Sequence, residues 1–177
     1  MLGRTYASEN CSAARALESV GDRWSLLIIR NALYAGMTRF SEFQQSLGVA
    51  TNVLASRLER FVADGLMDLA DGQNAPTQHS YRLTEKGREL GPVIMALTQW
   101  GDRWAAPDGP PILFEHARCG GHARTTTGCQ SCGHDIAPAD VSVTAGPGAA
   151  PETIATLKTR PAAAPRRSSP PQPRPPR

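Results

Sequence analysis

The chain has 177 residues, 40% of them hydrophobic and 20% charged, which is enough for one folded domain with an appendage. No apolar run approaches the ~18 residues that cross a bilayer, and the first residues lack the apolar stretch of a signal peptide, so we expect a soluble, cytoplasmic protein with no membrane partner. The net charge of +3 depends on six basic residues among the last twenty, and the rest of the chain is net acidic. A nucleic-acid site in the folded part must therefore be a local patch.

Two helices are predicted near the start of the chain. Ala13, Leu17 and Val20 fall near helical spacing, and a glycine ends that segment. Asp22 is a suitable N-cap for the second helix, which runs to Gly36. Because this second helix is apolar on several faces, we expect it at the centre of the core.

A short helix and a longer helix follow, separated by a tight turn. Ser41 and Gln44 fit a capping box for the short helix, and Gly48 ends it. Thr51 is the predicted N-cap of the longer helix. The predicted inward stripe of the longer helix consists of Leu54, Leu58, Phe61 and Val62.

The pattern then changes to that of a β-hairpin followed by a helix. Residues 66–69 and 80–83 are predicted as short strands, and the Asp-Gly, Asn and Pro residues between them predict a long tip. Thr84 begins a last helix, which Pro92 is expected to bend. The apolar stripe of this helix consists of Leu90, Val93, Ile94, Leu97, Trp100 and Trp104.

This order of elements predicts a mainly α-helical fold with a small β-hairpin, a winged helix-turn-helix. If the apolar stripe of the longer helix is buried, the opposite face at its start projects outward. That face carries Thr51, Asn52, Ala55, Ser56 and Arg57. Asparagine pairs with adenine and arginine with guanine in a major groove, and the N–H groups at a helix start favour phosphate. The pattern therefore predicts a DNA-reading helix.

Further DNA contacts are predicted beside that face. Arg60 is expected to meet the phosphate backbone. Polar residues of the hairpin tip are placed to reach the minor groove or phosphates, and these are Gln73, Asn74, Thr77, Gln78 and His79. The alternative is that both surfaces are only solvated, and the combination of turn, caps and hairpin favours DNA.

The segment from Cys11 to Trp104 resembles the HxlR-type branch of the MarR-like winged helix-turn-helix transcriptional regulators. The matching motifs are the opening Cys11, Gly-x-[Lys/Arg]-Trp at 21–24, Arg-Phe-x-[Glu/Asp]-[Phe/Leu] at 39–43, Leu-x-x-Arg-Leu at 54–58 and the strand-to-helix junction YRLTEKGREL. The resemblance implies a transcriptional regulator that binds double-stranded DNA. Arg39 is a further candidate DNA contact. No set of nucleophile, base and orienting group is present, so we expect no enzyme.

The resemblance also implies a homodimer. In such proteins the first and last helices form the interface, so Leu97, Trp100 and Trp104 would be buried against the partner. Two recognition helices would then lie ~34 Å apart, about one turn of DNA, which predicts a semi-palindromic promoter site. Where the family often has basic residues in the recognition helix and the wing, this chain has Asn52 and Gln78.

Cys11 occupies the place of a cysteine that senses oxidants in some relatives within this family. A position at a helix start favours the thiolate, and Glu9 opposes it. Cys11 is therefore a candidate redox sensor, with a purely structural thiol as the alternative.

A second group of cysteines follows the last helix. Structural zinc takes four Cys or His ligands, and the neighbouring glycines permit tight turns. The predicted ligands are Cys119, Cys129 and Cys132, with His122 as the fourth and His116 as an alternative. The competing interpretations are a redox pair and uncommitted thiols, and a thioredoxin-like pair would need a βαβ context that the sequence lacks. No cofactor is required for DNA binding, and the zinc would be structural.

These patterns divide the chain into three parts. They are a DNA-binding and dimerisation domain over 1–106, a Cys-rich extension over 107–148 with strand candidates at 112–117 and 140–144, and a disordered Pro/Ala/Arg-rich tail over 149–177. The predicted function is sequence-specific transcriptional regulation, modulated by a thiol or small-molecule signal. The alternative is a protein-interaction module that docks on the transcription machinery through a zinc-ribbon-like extension.

Overall fold

The computed structural model describes residue 6 and residues 9–72 and 75–159. In chain order, the elements are α1 (Ser12–Val20), α2 (Ser25–Tyr34), α3 (Phe40–Leu47), α4 (Thr51–Ala63), β1 (Met67–Gly72), β2 (Ala75–Leu83), α5 (Glu85–Arg88), α6 (Gly91–Trp104), a 3-10 helix (Pro138–Asp140) and α7 (Pro151–Thr159). The two strands pair in antiparallel fashion. The predicted mainly α-helical winged helix-turn-helix is confirmed.

The hydrophobic core lies among α2, α3, α4, α6 and the base of the hairpin. Ile28 and Ile29 of α2 are fully buried, as expected for a central helix. Phe43 of α3 is also fully buried, and Ile94 is the buried apolar side chain of α6. The core therefore holds the helix-turn-helix against α2.

The inward stripe of α4 is confirmed at Leu54, Leu58 and Phe61, which are fully buried. Val62 was also predicted to be buried, but it is 36% exposed. At 100° per residue, Val62 lies about 80° around the helix from Leu54, which carries it to the edge of the buried stripe.

Two predicted capping interactions are replaced by others. Helix α3 begins at Phe40, one residue before Ser41, so the predicted Ser41–Gln44 capping box is wrong. Glu42 Oε2 instead accepts hydrogen bonds from the backbone N–H groups of Thr38 and Arg39, at 2.8 Å and 2.9 Å. The acidic side chain in the first turn thus satisfies the N–H groups ahead of α3.

The start of α4 also differs from its prediction. Thr51 is the first helical residue, and Ala50 occupies the N-cap position without a side-chain hydrogen bond. Thr51 Oγ1 accepts instead from Gln44 Nε2. The hydroxyl that was predicted to cap α4 therefore connects it to α3.

The hairpin and the last helix differ from their predictions. The strands extend to Gly72 and from Ala75, so the predicted long tip is wrong. Backbone hydrogen bonds between strands need no burial, which lets the ladder continue beyond the apolar residues.

Pro92 lies at the second residue of α6 and does not bend it, because a first-turn residue needs no N–H donor. Thr84 is confirmed as an N-cap: its Oγ1 accepts from Gly87 N–H at 3.1 Å.

The chain divides into two compact units, Met1–Thr125 and Thr126–Arg177. The boundary therefore differs from the predicted one after residue 106, because the start of the extension packs on the helices. The rings of Tyr34 and Phe114 meet edge to face, with centroids 4.8 Å apart.

The extension and the tail also depart from expectation. Among the described residues, the predicted strands at 112–117 and 140–144 do not form, and two isolated β-bridges and the 3-10 helix occur instead. Disorder was predicted over 149–177, but Pro151–Thr159 forms α7, whose ends carry Glu152 and Lys158 in the order that a helix dipole favours. The remainder of the tail lies outside the described residues. No helix in the described part of the chain is both long and apolar enough to cross a membrane.

Candidate nucleic-acid interface

Helices α3 and α4 form the helix-turn-helix. Gly48 ends α3 in the left-handed region, at φ 60°, where glycine is tolerated best. Val49 is buried and anchors the turn in the core. Gln44 Nε2 donates to Thr51 Oγ1 at 2.7 Å, which joins the two helices across the turn. These contacts fix the direction in which α4 leaves the turn.

The leading edge of α4 faces outward. Thr51, Asn52 and Ser56 are exposed, and Ala55 is half-buried between them. The side opposite this edge carries the buried leucines and phenylalanine of the core stripe. Because the N-cap position is an alanine, no side chain there competes for the first N–H groups of the helix. The edge thus presents an amide, two hydroxyls and backbone donors to a ligand.

Arg57 lies beside this edge but has a partner within the protein. Its side chain is 28% exposed, and its Nε lies 2.9 Å from Asp22 Oδ2. Asp22 precedes α2, so the ion pair connects the start of the central helix with the middle of α4. Arg57 stays a candidate DNA contact, and the structure adds a positioning role that the sequence pattern did not reveal.

Asp22 is the centre of a small polar network. Its Oδ1 accepts from the backbone N–H groups of Trp24 at 2.9 Å and Ser25 at 3.2 Å, and its Oδ2 accepts from Ser25 Oγ. Burial by itself raises the pKa of Asp22, but these hydrogen bonds and the Arg57 ion pair outweigh it and hold the pKa below its usual value of 3.8. The carboxylate is therefore charged at neutral pH. Trp24, and not Asp22 as predicted, occupies the N-cap position of α2, and the Asp22 side chain accepts hydrogen bonds from the N–H groups at the start of that helix.

Two further arginines flank the helix-turn-helix. Arg39 is exposed at the start of α3. The backbone N–H bonds from Arg39 and Thr38 lower the pKa of Glu42, so that carboxylate is charged beside Arg39. The Arg60 side chain is 48% exposed, and its Nε lies 3.5 Å from Asp64 Oδ2 one turn further along α4. Both guanidinium groups lie at the protein surface, where a phosphate of DNA can reach them.

The hairpin forms the wing next to α3. Tyr81 N–H donates to Thr38 O at 2.7 Å, which attaches β2 to the segment that leads into α3. Of the predicted wing contacts, His79 is exposed on β2. Gln73 and Asn74 lie outside the described residues, as do the side chains of Thr77 and Gln78. The wing contacts therefore stay predictions.

Helix α6 carries an apolar stripe that the described residues leave exposed. Its residues are Val93, Leu97, Trp100 and Trp104, which are 51%, 52%, 62% and 64% exposed. They recur at helical spacing along one face, and Leu17 of α1 is likewise 50% exposed. Contiguous exposed apolar surface of this kind marks an interaction site in soluble proteins.

All four cysteines are free thiols. Cys11 is exposed at the N-cap position of α1, as predicted. His116 Nδ1 lies 3.1 Å from Cys119 Sγ. The backbone N–H groups of Cys132 and Ser131 hydrogen-bond to Cys129 and lower the pKa of its thiol. Within the part of the chain that the structure describes, no three His, Cys, Asp or Glu side chains are gathered as a metal site.

Known proteins share this fold and sequence pattern. The sequence profile of the HxlR-like helix-turn-helix family matches residues 19–109. The uncharacterized HTH-type transcriptional regulator Rv3095 of Mycobacterium tuberculosis is 44% identical over 145 residues, which cover 81% of this chain and 91% of that protein. The crystal structure of PA1607, a candidate transcription factor, matches with a TM-score of 0.71 at 38% identity, over 78% of this chain and 97% of that one. PA1374 from Pseudomonas aeruginosa matches with a TM-score of 0.59 at 35% identity, over 82% and 99%.

Proposed function

Because the chain belongs to the HxlR-like helix-turn-helix family of transcriptional regulators and is not an enzyme, we propose that it acts in the cytoplasm as a homodimer that reads a semi-palindromic promoter site through α4. The observation that supports this proposal best is the exposed leading edge of α4, held outward by a fully buried stripe on its other side. Such a helix fits the major groove of double-stranded DNA.

The side chains of this edge divide into reading and positioning groups. The Asn52 amide can donate to and accept from adenine at once, and the Ser56 hydroxyl suits a base edge or a phosphate. Thr51 shares its oxygen with Gln44, which orients it beside the first N–H groups of α4. We therefore assign base reading to Asn52 and Ser56 and orientation of the helix to Thr51 and Arg57.

Phosphate contacts should be few, because the folded part of the chain is net acidic. Arg39 and Arg60 are the exposed cations that flank the helix-turn-helix. If each contacts one phosphate in each half-site, a dimer neutralises about four phosphates, and the slope of log K against log salt is about −3.6. A salt-insensitive interaction would instead favour docking on a protein partner.

The homodimer is supported by the apolar stripe of α6. Four large apolar side chains along one helical face remain in contact with water in a single chain. Burying them against a second copy would remove this apolar area at about 25 cal/mol per Å². Because Leu17 of α1 is exposed as well, we assign the interface to α1 and α6. Cys11 occupies the N-cap position of α1, so a thiol signal at Cys11 would act at this interface; a small-molecule signal is the alternative.

Selection from a random duplex library, followed by titration, tests the proposal. We expect enrichment of two inverted half-sites. Asn52→Ala and Ser56→Ala should each weaken binding by about 1–3 kcal/mol and relax the preference at one base pair per half-site. Ser142→Ala, an exposed serine outside the helix-turn-helix, is the matched control and should bind as the wild type does.

Two results would contradict this assignment. If the library shows no enrichment at low salt, α4 is not a DNA-reading helix. If Asn52→Ala and Ser56→Ala weaken binding equally for every sequence, these residues contact only the backbone and the reading face lies elsewhere.

A further inference from the structure

Arg23 is an exposed cation two residues before α2, in the Gly-Asp-Arg-Trp motif at 21–24. It forms no ion pair with any of the residues that the structure describes. A guanidinium carries five N–H donors and no acceptor, so it is suited to an anion with several oxygens. Arg23 is therefore available to an anionic group from outside the chain.

The guanidinium of Arg23 is stacked on the neighbouring indole. Its Cζ lies 5.2 Å from the centroid of the Trp24 ring. Trp24 is half-buried and packs against the hydrophobic core, so the ring is a fixed support. Stacking uses the face of the guanidinium and leaves the N–H groups along its edge free to donate. The stack thus orients Arg23 and keeps its donors available.

The same four residues occur again at 101–104, where the stack also forms. Arg103 Cζ lies 4.7 Å from the centroid of the Trp104 ring. Trp104, however, is 64% exposed on the apolar stripe of α6 and is not part of the core. The stack is therefore a local property of the motif, and its use at 21–24 depends on what surrounds it there.

The start of α2 lies beside the reading helix α4. Asp22 Oδ2 is 2.9 Å from Arg57 Nε. Arg57 directly follows Ser56, which is exposed on the leading edge of α4. Because Arg23 is the chain neighbour of Asp22, it lies close to the same side of α4. A helix in the major groove, which is about 12 Å wide, has a phosphate backbone on each side.

The carboxylate of Asp22 does not neutralise Arg23. Its oxygens accept hydrogen bonds from Trp24 N–H, Ser25 N–H and Ser25 Oγ, and they pair with Arg57. All of these partners belong to the helices, so the negative charge of Asp22 is used within the protein. The surface beside α4 therefore keeps the positive charge of Arg23.

We propose that Arg23 binds one phosphate of the DNA backbone in each half-site, beside the groove that α4 reads. This inference rests on the proposed reading role of α4. A planar guanidinium matches two phosphate oxygens in a bidentate, charge-assisted pair. Such a contact carries no sequence information, but it fixes the position of the helix on the duplex.

Arg23 adds one phosphate per half-site to those assigned to Arg39 and Arg60. The slope of log K against log salt for a dimer then becomes about −5.4.

The salt dependence of binding tests the inference, with the duplex selected from the library and an unrelated duplex. Arg23→Gln should weaken binding to both by the same factor and make the slope shallower by about 0.9 per half-site. Between ~1 M and ~0.1 M salt, that slope amounts to about an eightfold loss per half-site. Arg23→Lys keeps the charge and should keep the slope, with weaker binding, because an ammonium cannot form the bidentate pair.

The matched control is Arg118→Gln, which removes the same charge from an exposed position in the extension. It should bind both duplexes with the affinity and slope of the wild type. Urea unfolding of each variant separates a lost contact from a lost fold.

Ethylation of single phosphates locates the contact independently of affinity. One phosphate per half-site should block binding of the wild type when it is ethylated and have no effect on binding of Arg23→Gln. The inference is overturned if Arg23→Gln keeps the wild-type slope and the same sensitive phosphates. It is also overturned if Arg118→Gln lowers the slope equally, because the loss would then follow net charge alone. A wild-type protein that binds no duplex at low salt would instead contradict the reading role of α4, and with it this inference.

Discussion

Gly87 lies below the turn that follows α4, and its lack of a side chain makes room for a neighbouring carbonyl. A Cβ at this position would lie 2.2 Å from Leu66 O and 2.8 Å from Leu83 Cδ2. The same region is held by Thr84 Oγ1, which donates to Gly65 O at 2.7 Å, and by Thr84 N–H, which donates to Leu66 O at 3.1 Å. The wing and the end of the reading helix therefore meet at a place where backbone approaches backbone.

We predict that Gly87→Ala destabilises the protein by about 1–3 kcal/mol, because the added methyl group must displace main chain and not a flexible side chain. The free energy of unfolding in urea measures this effect. Gly148→Ala is the control: no atom lies within 4 Å of its added Cβ, and it should change stability by less than about 0.5 kcal/mol. Equal stability of Gly87→Ala and the wild type would mean that the close approach relaxes without cost.

The outward residues of α4 could be predicted from the sequence, but their partners could not. Asn52 and Ser56 are exposed as predicted, since the apolar period alone determines which side of α4 is buried. The Asp22–Arg57 ion pair depends on how two helices cross, and a period within one helix carries no information about that. The role of Gln44 was missed for the same reason, because its partner belongs to the next helix.

At the scale of secondary-structure elements, the Asp22 network fixes α4 relative to α2. One carboxylate caps the start of α2 and also neutralises Arg57 in the middle of α4. Rotation of α4 would separate that pair, so the network opposes movement of the reading edge. The Asp22 network and the buried apolar stripe of α4 thus both hold this helix in one orientation.

We predict that Asp22→Ala costs about 1–2 kcal/mol at pH 7, since it removes a helix cap and leaves Arg57 unpaired. Asp22→Asn keeps an acceptor for the cap and should cost less. Urea unfolding of the three proteins at a series of pH values is the measurement.

The pH dependence has a definite sign. Because the pKa of folded Asp22 lies below its usual value of 3.8, the stabilisation from its charge is present above that value and is lost as the pH falls through the folded pKa. The stability difference between the wild type and Asp22→Asn should therefore be constant near neutral pH and shrink below about pH 3.8. A difference that is the same at pH 7 and pH 3 would show that the charge contributes nothing.

The order of the elements was predictable, but several of their ends were not. Period and glycine stops were enough to place α1 to α4 and the hairpin. The ends depend on competing partners: Thr51 bonds to Gln44 and does not cap α4. A proline in the sequence can either bend a helix or stand in its first turn. The structure shows that the short helix α5 ends before α6 begins, so Pro92 stands in the first turn of α6.

At the scale of the whole molecule, the apolar stripe on α6 stays exposed to water in the part of the chain that the structure describes. We predict that Leu97→Glu converts a dimer into a monomer, because it places a charge in the centre of the apolar face. Sedimentation velocity at micromolar concentration measures the mass. Val143→Glu, which alters a side chain that is 75% exposed outside the stripe, should leave the mass unchanged.

The same samples also test the role of Cys11. If oxidation bridges subunits at α1, a disulfide-linked dimer should appear on a non-reducing gel of the wild type and be absent from Cys11→Ser. A wild-type protein that sediments as a monomer, with no change in Leu97→Glu, would contradict the assignment of the α6 stripe to self-association.

The extension was the part of the chain least predictable from the sequence, because its local structure depends on backbone hydrogen bonds that residue spacing does not show. Its cysteine spacing predicts zinc ligands, but spacing alone does not show where the chain reverses, because His116 and His122 both stand three residues from Cys119. Only the backbone hydrogen bonds show that His116 begins a tight turn, with its N–H on Gly121 O, and that His122 lies in the bridged segment after that turn.

The position of the tryptophans gives this protein an optical signal of its own. Two of its three tryptophans, Trp100 and Trp104, lie on the uncovered face of α6, where they are 62% and 64% exposed. Indole emission moves to shorter wavelength when water is removed from around the ring. Intrinsic fluorescence would therefore follow pairing of two chains during dilution without any attached dye, and the half-buried Trp24 would supply a steady background.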